Sequence, residues 1–313
     1  MKEIRAEQEQ SAREAHEREQ RAAQDTNFRA VLEQLEFEDE LQQCKDDILA
    51  REPELAEALN FESEPIVKVL ETFAYRLLLK TGQINAKSKA LMLAYAKGSD
   101  LDHLAANRGV YRLTIHPAQP NANPPIEAVM ESDESLRRRT HLQPESMSAG
   151  SVGAYQFWGL SAHGHVKDIS VETPQEGHVN IWVQSHIDEN APQALLDTVD
   201  QSLDPDTRRP FTDEVHVKAA TSQEWQLNAT LVLFPGPDSA VVKAAAEADA
   251  QAYIEKISSL GYDVARSGLF HALHQGGVQN VVLNSPAEDL ILPKNKYSKC
   301  TGVTINIVEF RDV

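Results

Sequence analysis

Gly150–Pro174, GSVGAYQFWGLSAHGHVKDISVETP, reads as a helix that runs directly into a buried strand. Ser151 suits the N-cap, because its hydroxyl can accept from a backbone N–H in the first turn. Tyr155, Phe157, Trp158 and Leu160 give the helix a broad apolar face, and Gly164 is its expected stop. Val166, Ile169 and Val171 continue as a strand, which Thr173-Pro174 should end.

The same grammar returns near the C-terminus. Gly268-Leu-Phe-His-Ala-Leu-His-Gln275 is a short helical run, Gly276-Gly277 breaks it, Val278, Val281 and Leu283 form a strand, and Ser285-Pro286 closes it. Gly164, Val166, Ile169, Val171 and Pro174 fall opposite Gly276, Val278, Val281, Leu283 and Pro286 without a gap. This is the pattern of an internal repeat; the alternative is a common junction recurring by chance.

Working outward, 313 residues exceed one average core and imply two or three domains. No apolar run approaches the roughly 20 residues that cross a bilayer, and the charged start MKEIRAEQEQ does not read as a signal peptide. Cys44 and Cys300 stand alone, which suits a reducing compartment and makes neither a disulfide framework nor a metal site. The net charge is −18, and residues 1–60 carry half of it, with 8 Lys/Arg against 17 Asp/Glu. An acidic surface repels nucleic-acid phosphates and anionic lipid heads, which argues for protein partners or for nothing more than solubility, with neither nucleic acid nor membrane as a partner.

Residues 1–27 form an acidic leader rich in Glu, Gln, Arg and Ala, either disordered or ordered by a partner. From Phe28 the pattern becomes helical, through Val31, Leu32, Leu35, Leu41, Ile48 and Leu49, until Pro53 breaks it. Asn60 or Ser63 is a possible N-cap, and Pro65 suits a first helical position. Ile66, Val69, Leu70, Phe73, Leu77 and Leu78 then form a stripe that Gly82 should interrupt. A second helix is expected through Ala90, Leu91, Leu93, Ala94 and Tyr95, and a third from Ser99 or Asp100 to Gly109. The apolar face at Ile66, Leu70, Phe73 and Leu77 is wider than one helical hairpin can bury, so these four residues are the candidate partner interface.

His116–Pro125, with four prolines in ten residues, reads as a linker. Glu131–Arg139 is a short helix, acidic at its start and basic at its end as the helix dipole favours. A phosphate site at its three arginines is the weaker reading. After the opening unit come a strand at Val179–Val183, a helix opened at Asn190 or Ala191-Pro192, and strands at Val215–Val217 and Trp225–Leu233. A turn at Pro235–Asp238 then leads into a helix from Val241 to Ile257. Leu290–Leu292, and then Val303, Ile305, Ile307 and Phe310, should form final strands. The fold class is α+β, with an elongated helical N-terminal arm followed by two similar α+β modules. The expected division is leader 1–27, arm 28–115, proline-rich linker and short helix 116–149, and modules 150–222 and 223–313.

No catalytic set emerges. His163-x-His165 could place two imidazoles on one strand face, but no third ligand is near and Asp168 is out of phase. His271 and His274 lack the H-E-x-x-H pattern. Gly159–Gly164 has the wrong spacing for a nucleophile elbow, and the glycines at 150, 153, 159 and 164 match no dinucleotide or P-loop motif. Neither cysteine has a neighbour that would activate a thiolate. The reading is a non-enzyme with no catalytic residue, cofactor or metal.

Phe61–Leu70 (FESEPIVKVL), Ala74-Tyr-Arg76, Ala90–Ala105 (ALMLAYAKGSDLDHLA), Met130–Arg139 (MESDESLRRR), Gly153-Ala-Tyr155 with Val166–Val171, and Leu233–Pro237 (LFPGP) keep one order along the chain. In these motifs the sequence resembles the baseplate J-like family of contractile phage tails and tailocins, in particular that of P2-like myophages. The resemblance runs from about residue 28 to the end; residues 1–27 do not match the family's usual apolar, proline-containing start. It implies a structural protein of the virion tail baseplate, assembled in the bacterial cytoplasm. Two copies in different conformations would join a companion wedge tail protein (protein I-like) through a helical bundle. The resulting wedges would meet through their C-terminal regions in a ring around the hub, beside a sheath-initiator or lysozyme-like baseplate protein, and control sheath contraction. A soluble binding scaffold unrelated to phage tails is the alternative, and a hydrolase with a dispersed site stands behind that.

Overall fold

Proline decides where the long N-terminal helix begins. Pro65 has no N–H to leave unbonded and a φ already suited to the first turn. In the computed structural model, which describes residues 36–205, 208–236 and 238–308, it opens one continuous helix. The leader, the pattern at Phe28, Val31, Leu32 and Leu35, Pro237 and Phe310 lie outside the described residues.

The chain divides into two compact units, Met1–Leu104 and Ala105–Val313. In the first, α1 (Phe37–Leu49) is followed by two short 3-10 turns, Pro53–Ala56 and Ala58–Asn60, and then by α2 (Pro65–Ala90). Three expectations change here. Gly82 does not interrupt α2, because a helical glycine costs only about 1 kcal/mol relative to alanine and this helix runs 26 residues. Leu91–Tyr95 form turns where a second helix was expected. Asn60 and Ser63 do not cap; the N-cap position is Glu64, with no side-chain bond. The third helix, α3 (Gly98–Ala106), starts and stops at glycines of positive φ, Gly98 at 52° and Gly109 at 72°.

In the second unit a hairpin comes first. Strand β1 (Thr114–His116) pairs with β2 (Val129–Met130), and Gln119 bridges Ile126. The proline-rich 116–125 stretch is therefore the tip of a hairpin, not a linker. Prolines keep it irregular, but its two ends are held together by the pairing on either side. Helix α4 (Asp133–Leu142), capped by Ser132 Oγ accepting from Ser135 N at 3.2 Å, and a 3-10 turn at Gln143–Met147 lead to the opening unit.

That unit forms as expected. Ser151 Oγ accepts from Ala154 N at 3.0 Å, α5 spans Val152–Ser161, and β3 spans Val166–Gln175. The strand outlasts Thr173-Pro174, because its pairing is irregular between Glu172 and Gln175 and β3 is an edge strand, where the missing N–H of Pro174 is tolerated. Gly164 is needed for a close approach: a Cβ there would lie 2.0 Å from the Thr114 carbonyl oxygen. Across Gly177 (φ 77°) the chain returns as β4 (His178–Ser185), antiparallel to β3; α6 (Gln193–Leu203) then crosses to β5 (Glu214–Ala219), parallel to β4. Tyr155, Leu160, Ile169, Ile181, Val183, Leu196 and Val199 lie in the core so formed.

The last module is β6 (Thr221–Leu233), α7 (Ser239–Ile257), α8 (Arg266–Leu273), β7 (Val278–Ser285) and β8 (Lys296–Val308). Trp225, Leu227, Ala229, Leu231 and Leu233 point to one face by strand alternation and pack with Val242, Ala246, Ala250 and Ile254, four apart on α7. Leu290–Leu292 make only a bridge to Val264, without a strand; Pro286 and Pro293 bracket them.

The two sheets share one plan in different chain order. Each central strand (β4, β6) has an antiparallel neighbour that follows a helix (β3 after α5, β7 after α8) and a parallel neighbour (β5, β8). The helix–strand unit enters before the central strand in the first sheet and after it in the second. The gapless match of Gly164–Pro174 to Gly276–Pro286 thus superposes the two antiparallel edges.

Candidate partner interface

Helix α2 presents two apolar faces. Val67, Leu70 and Ala74 turn inward and pack with Leu41 and Cys44 of α1 and with Leu59. Burial in this cluster, with Glu40 and Asp47 nearby, pushes the Cys44 thiol above its ordinary pKa, which leaves it protonated. The four residues expected at the interface therefore divide. Leu70, 6% exposed, belongs to the internal core. Ile66 and Leu77 are half-buried at the rim of that core. Phe73 faces outward at 55% exposure, beside Val69 at 67%. Helical spacing marks a stripe but not how wide a sector α1 covers, and α1 takes Leu70.

Phe73, Val69, Lys68, Thr72 and Arg76 line a shallow groove on the outer face. Its flank carries an exposed Lys68–Glu71 ion pair at 3.0 Å, worth at most a few tenths of a kcal/mol. Ile84, also exposed, lies within about 60° of Val69 and Phe73 around the helix. Val69 stood in the sequence stripe and Ile84 did not; both are interface candidates outside the original four.

The other candidates for chemistry are occupied with structure. Arg139 is buried and bidentate to Glu131, Nε donating to Oε1 at 2.8 Å and Nη2 to Oε2 at 2.6 Å. It also donates to the Tyr111 carbonyl at 2.7 Å and to Ser161 Oγ at 3.2 Å. Burial raises the Glu131 pKa, but bonds from Arg139, Ser135 and the Leu113 N–H, with the charge of Arg139, outweigh it and hold it below its usual value. Arg138 donates to Asp168 Oδ1 at 2.7 Å. So two of the three arginines are committed to carboxylates, which does not leave them for a phosphate. His163 and His165 lie ring to ring at 4.3 Å, but His163 Nδ1 accepts from His165 N, and Asp168 faces Arg138 and the Leu260 N–H. His271 and His274 are exposed at the end of α8. Among the described residues no helix is long and apolar enough to cross a membrane.

Comparison with known proteins gives three family matches in chain order. Residues 62–119 match the baseplate J-like N-terminal domain, residues 147–219 the baseplate J-like central domain, and residues 225–306 the baseplate J-like protein C-terminal domain. Baseplate protein J of Escherichia phage P2 is 44% identical over 278 residues, covering 87% of this chain and 92% of that protein.

Proposed function

The chain belongs to the baseplate J-like family, a structural component of the phage tail baseplate, and we propose that it acts there as a wedge subunit. In this reading two copies, in different conformations, join a companion wedge tail protein through the outer face of α2. The observation that carries it is the exposed row Val69, Phe73 and Ile84, on a helix whose other face is already filled by α1. A face of this kind, apolar at Val69, Phe73 and Ile84 with the exposed Arg76 and Lys80 between them, is best accounted for on a baseplate protein by a partner helix.

The test is co-expression with the companion wedge protein of the Val69→Asp/Phe73→Asp variant. Both side chains are outside the core, so the arm should keep its far-UV helical signal while the complex is lost. Intact wedges from the variant would sink this reading. Leu70 is unsuitable for the purpose, because charging it would unfold the arm.

The role proposed is structural and not catalytic. The C-terminal module is proposed to link neighbouring wedges into a ring that controls sheath contraction, a part that rests on the family alone. A map of the assembled baseplate locates those contacts, and contacts made wholly outside 221–308 would remove it.

A further inference from the structure

His178 begins β4 and Glu214 begins β5, and the parallel register sets them side by side, with Asn180 opposite His216. Residues 214 and 216 are two apart on one strand, so both point to the same face. That face is opposite the one carrying Val179, Ile181 and Val183 into the core. His178 Nδ1 and His216 Nε2 each lie 3.3 Å from an oxygen of Glu214, Oε2 and Oε1 respectively. The two rings are nearly parallel, at 12°, with centroids 6.2 Å apart. One donor atom from each residue lies within 4.8 Å of the other two. The backbone beneath is pinned, since Glu214 N donates to the Gly177 carbonyl at 2.6 Å.

We propose that His178, Glu214 and His216 form a binding site for a divalent transition-metal ion of the zinc class. A tetrahedral ion with bonds of about 2.0–2.2 Å to imidazole nitrogen and carboxylate oxygen holds adjacent ligands roughly 3.3–3.5 Å apart. Each nitrogen already lies at that distance from one oxygen of Glu214, His178 Nδ1 from Oε2 and His216 Nε2 from Oε1, and rotation of the exposed side chains closes the remaining separations about a single ion. Two imidazoles with one carboxylate select zinc, copper, nickel or cobalt; magnesium and calcium require a mainly oxygen shell. The remaining coordination position faces solvent, because all three side chains are at least one-third exposed. The ion would join the first residues of two parallel strands whose connection passes through α6, and would secure the edge strand β5 at its start.

The test uses the full chain, free of metal and of any histidine tag. Zinc is titrated by calorimetry and by competition with a chromophoric chelator. One ion per chain is expected, together with a zinc-dependent rise in the thermal midpoint. His178→Ala, Glu214→Gln and His216→Ala should each weaken binding by more than the 10–100-fold that losing even an outer partner of a ligand costs. His163→Ala should leave binding unchanged, which separates this site from the other close histidine pair. Cobalt bound to the unaltered chain should show the absorption of a four- or five-coordinate ion, a readout independent of how the variants fold. Absent binding at about 1 mM zinc, affinity unchanged in His178→Ala and His216→Ala, or equal competition by magnesium would each overturn the proposal.

Discussion

Glu131→Gln should cost more stability than any other single conservative change in the second unit. The Glu131 carboxylate receives four hydrogen bonds, two from Arg139 and one each from Ser135 Oγ and Leu113 N. Both members of the ion pair are 5% exposed or less. An amide keeps one accepting oxygen and leaves the guanidinium with no counter-charge. Removing one partner of such a pair costs about 3–5 kcal/mol, because the survivor stays charged in a poorly solvated place. All three tryptophans, Trp158, Trp182 and Trp225, lie in the second unit, so tryptophan fluorescence during urea unfolding reports on that unit alone. With a slope of roughly 2–3 kcal/mol/M for a unit this size, the midpoint should fall by about 1–2.5 M.

Glu131 also gives the effect a pH signature. Its folded pKa is lowered, so its contribution is complete above the unfolded value of about 4.3 and disappears as pH falls through the lower folded value. The unaltered chain should lose stability on that acid limb, and Glu131→Gln should show a shallower one. Glu131→Gln/Arg139→Met, which removes both charges, should recover part of the loss. A midpoint shift under about 0.3 M for Glu131→Gln, or no recovery in the double variant, would refute the reasoning that the uncompensated charge dominates.

Leu70→Ala should destabilise the arm by about 2–5 kcal/mol, read as an earlier loss of far-UV helical signal with the tryptophan transition unmoved, whereas Phe73→Ala should leave both transitions near their original positions. Gly164→Ala should lower the tryptophan-reported midpoint by at least the 1–3 kcal/mol typical of overpacking, because its new methyl meets the rigid Thr114 carbonyl and not a yielding side chain; an unmoved midpoint would mean that β1 can shift.

Local signals were the legible ones. Ser151, Pro65 and the alternation from Trp225 to Leu233 each act within a few residues, and each element formed where these placed it. Features decided by distant chain were not legible. Gly82 looked like a break because local propensity weighs a glycine without the 26-residue helix that continues through it. The 116–125 prolines forbid regular structure but do not say that Gln119 will meet Ile126. The split of the α2 stripe into a covered Leu70 and an exposed Phe73 depends on how wide a sector α1 takes. His178 and Glu214 are far apart in sequence, and only the parallel register of β4 and β5 makes them neighbours.

The second unit also constrains how one sequence could serve two positions in a wedge. Asp168 on β3 accepts from Arg138 on α4 through Oδ1 and from Leu260 N of the last module through Oδ2, at 2.7 and 2.9 Å. Lys167 and Gln184 both donate to the Ser258 carbonyl, and Tyr297 donates to the Glu189 carbonyl. Trp182 packs on Ala220, Leu260 and Tyr297 at the same seam. The hairpin is tied in as well, through Arg139 to the Tyr111 carbonyl. Separating the modules, or freeing the proline-rich tip as a hinge, would break several of these bonds at once, of which the buried Leu260 N to Asp168 bond costs about 1–3 kcal/mol when its partner is left unsatisfied. Rotation at Gly98 breaks none of them, whereas rotation at Gly109 would break the bond that Arg108 Nη1 donates to the Thr140 carbonyl. If two conformers exist, their difference therefore belongs at Gly98, the positive-φ glycine that opens α3, and the 116–125 tip should travel unchanged with the body that carries it.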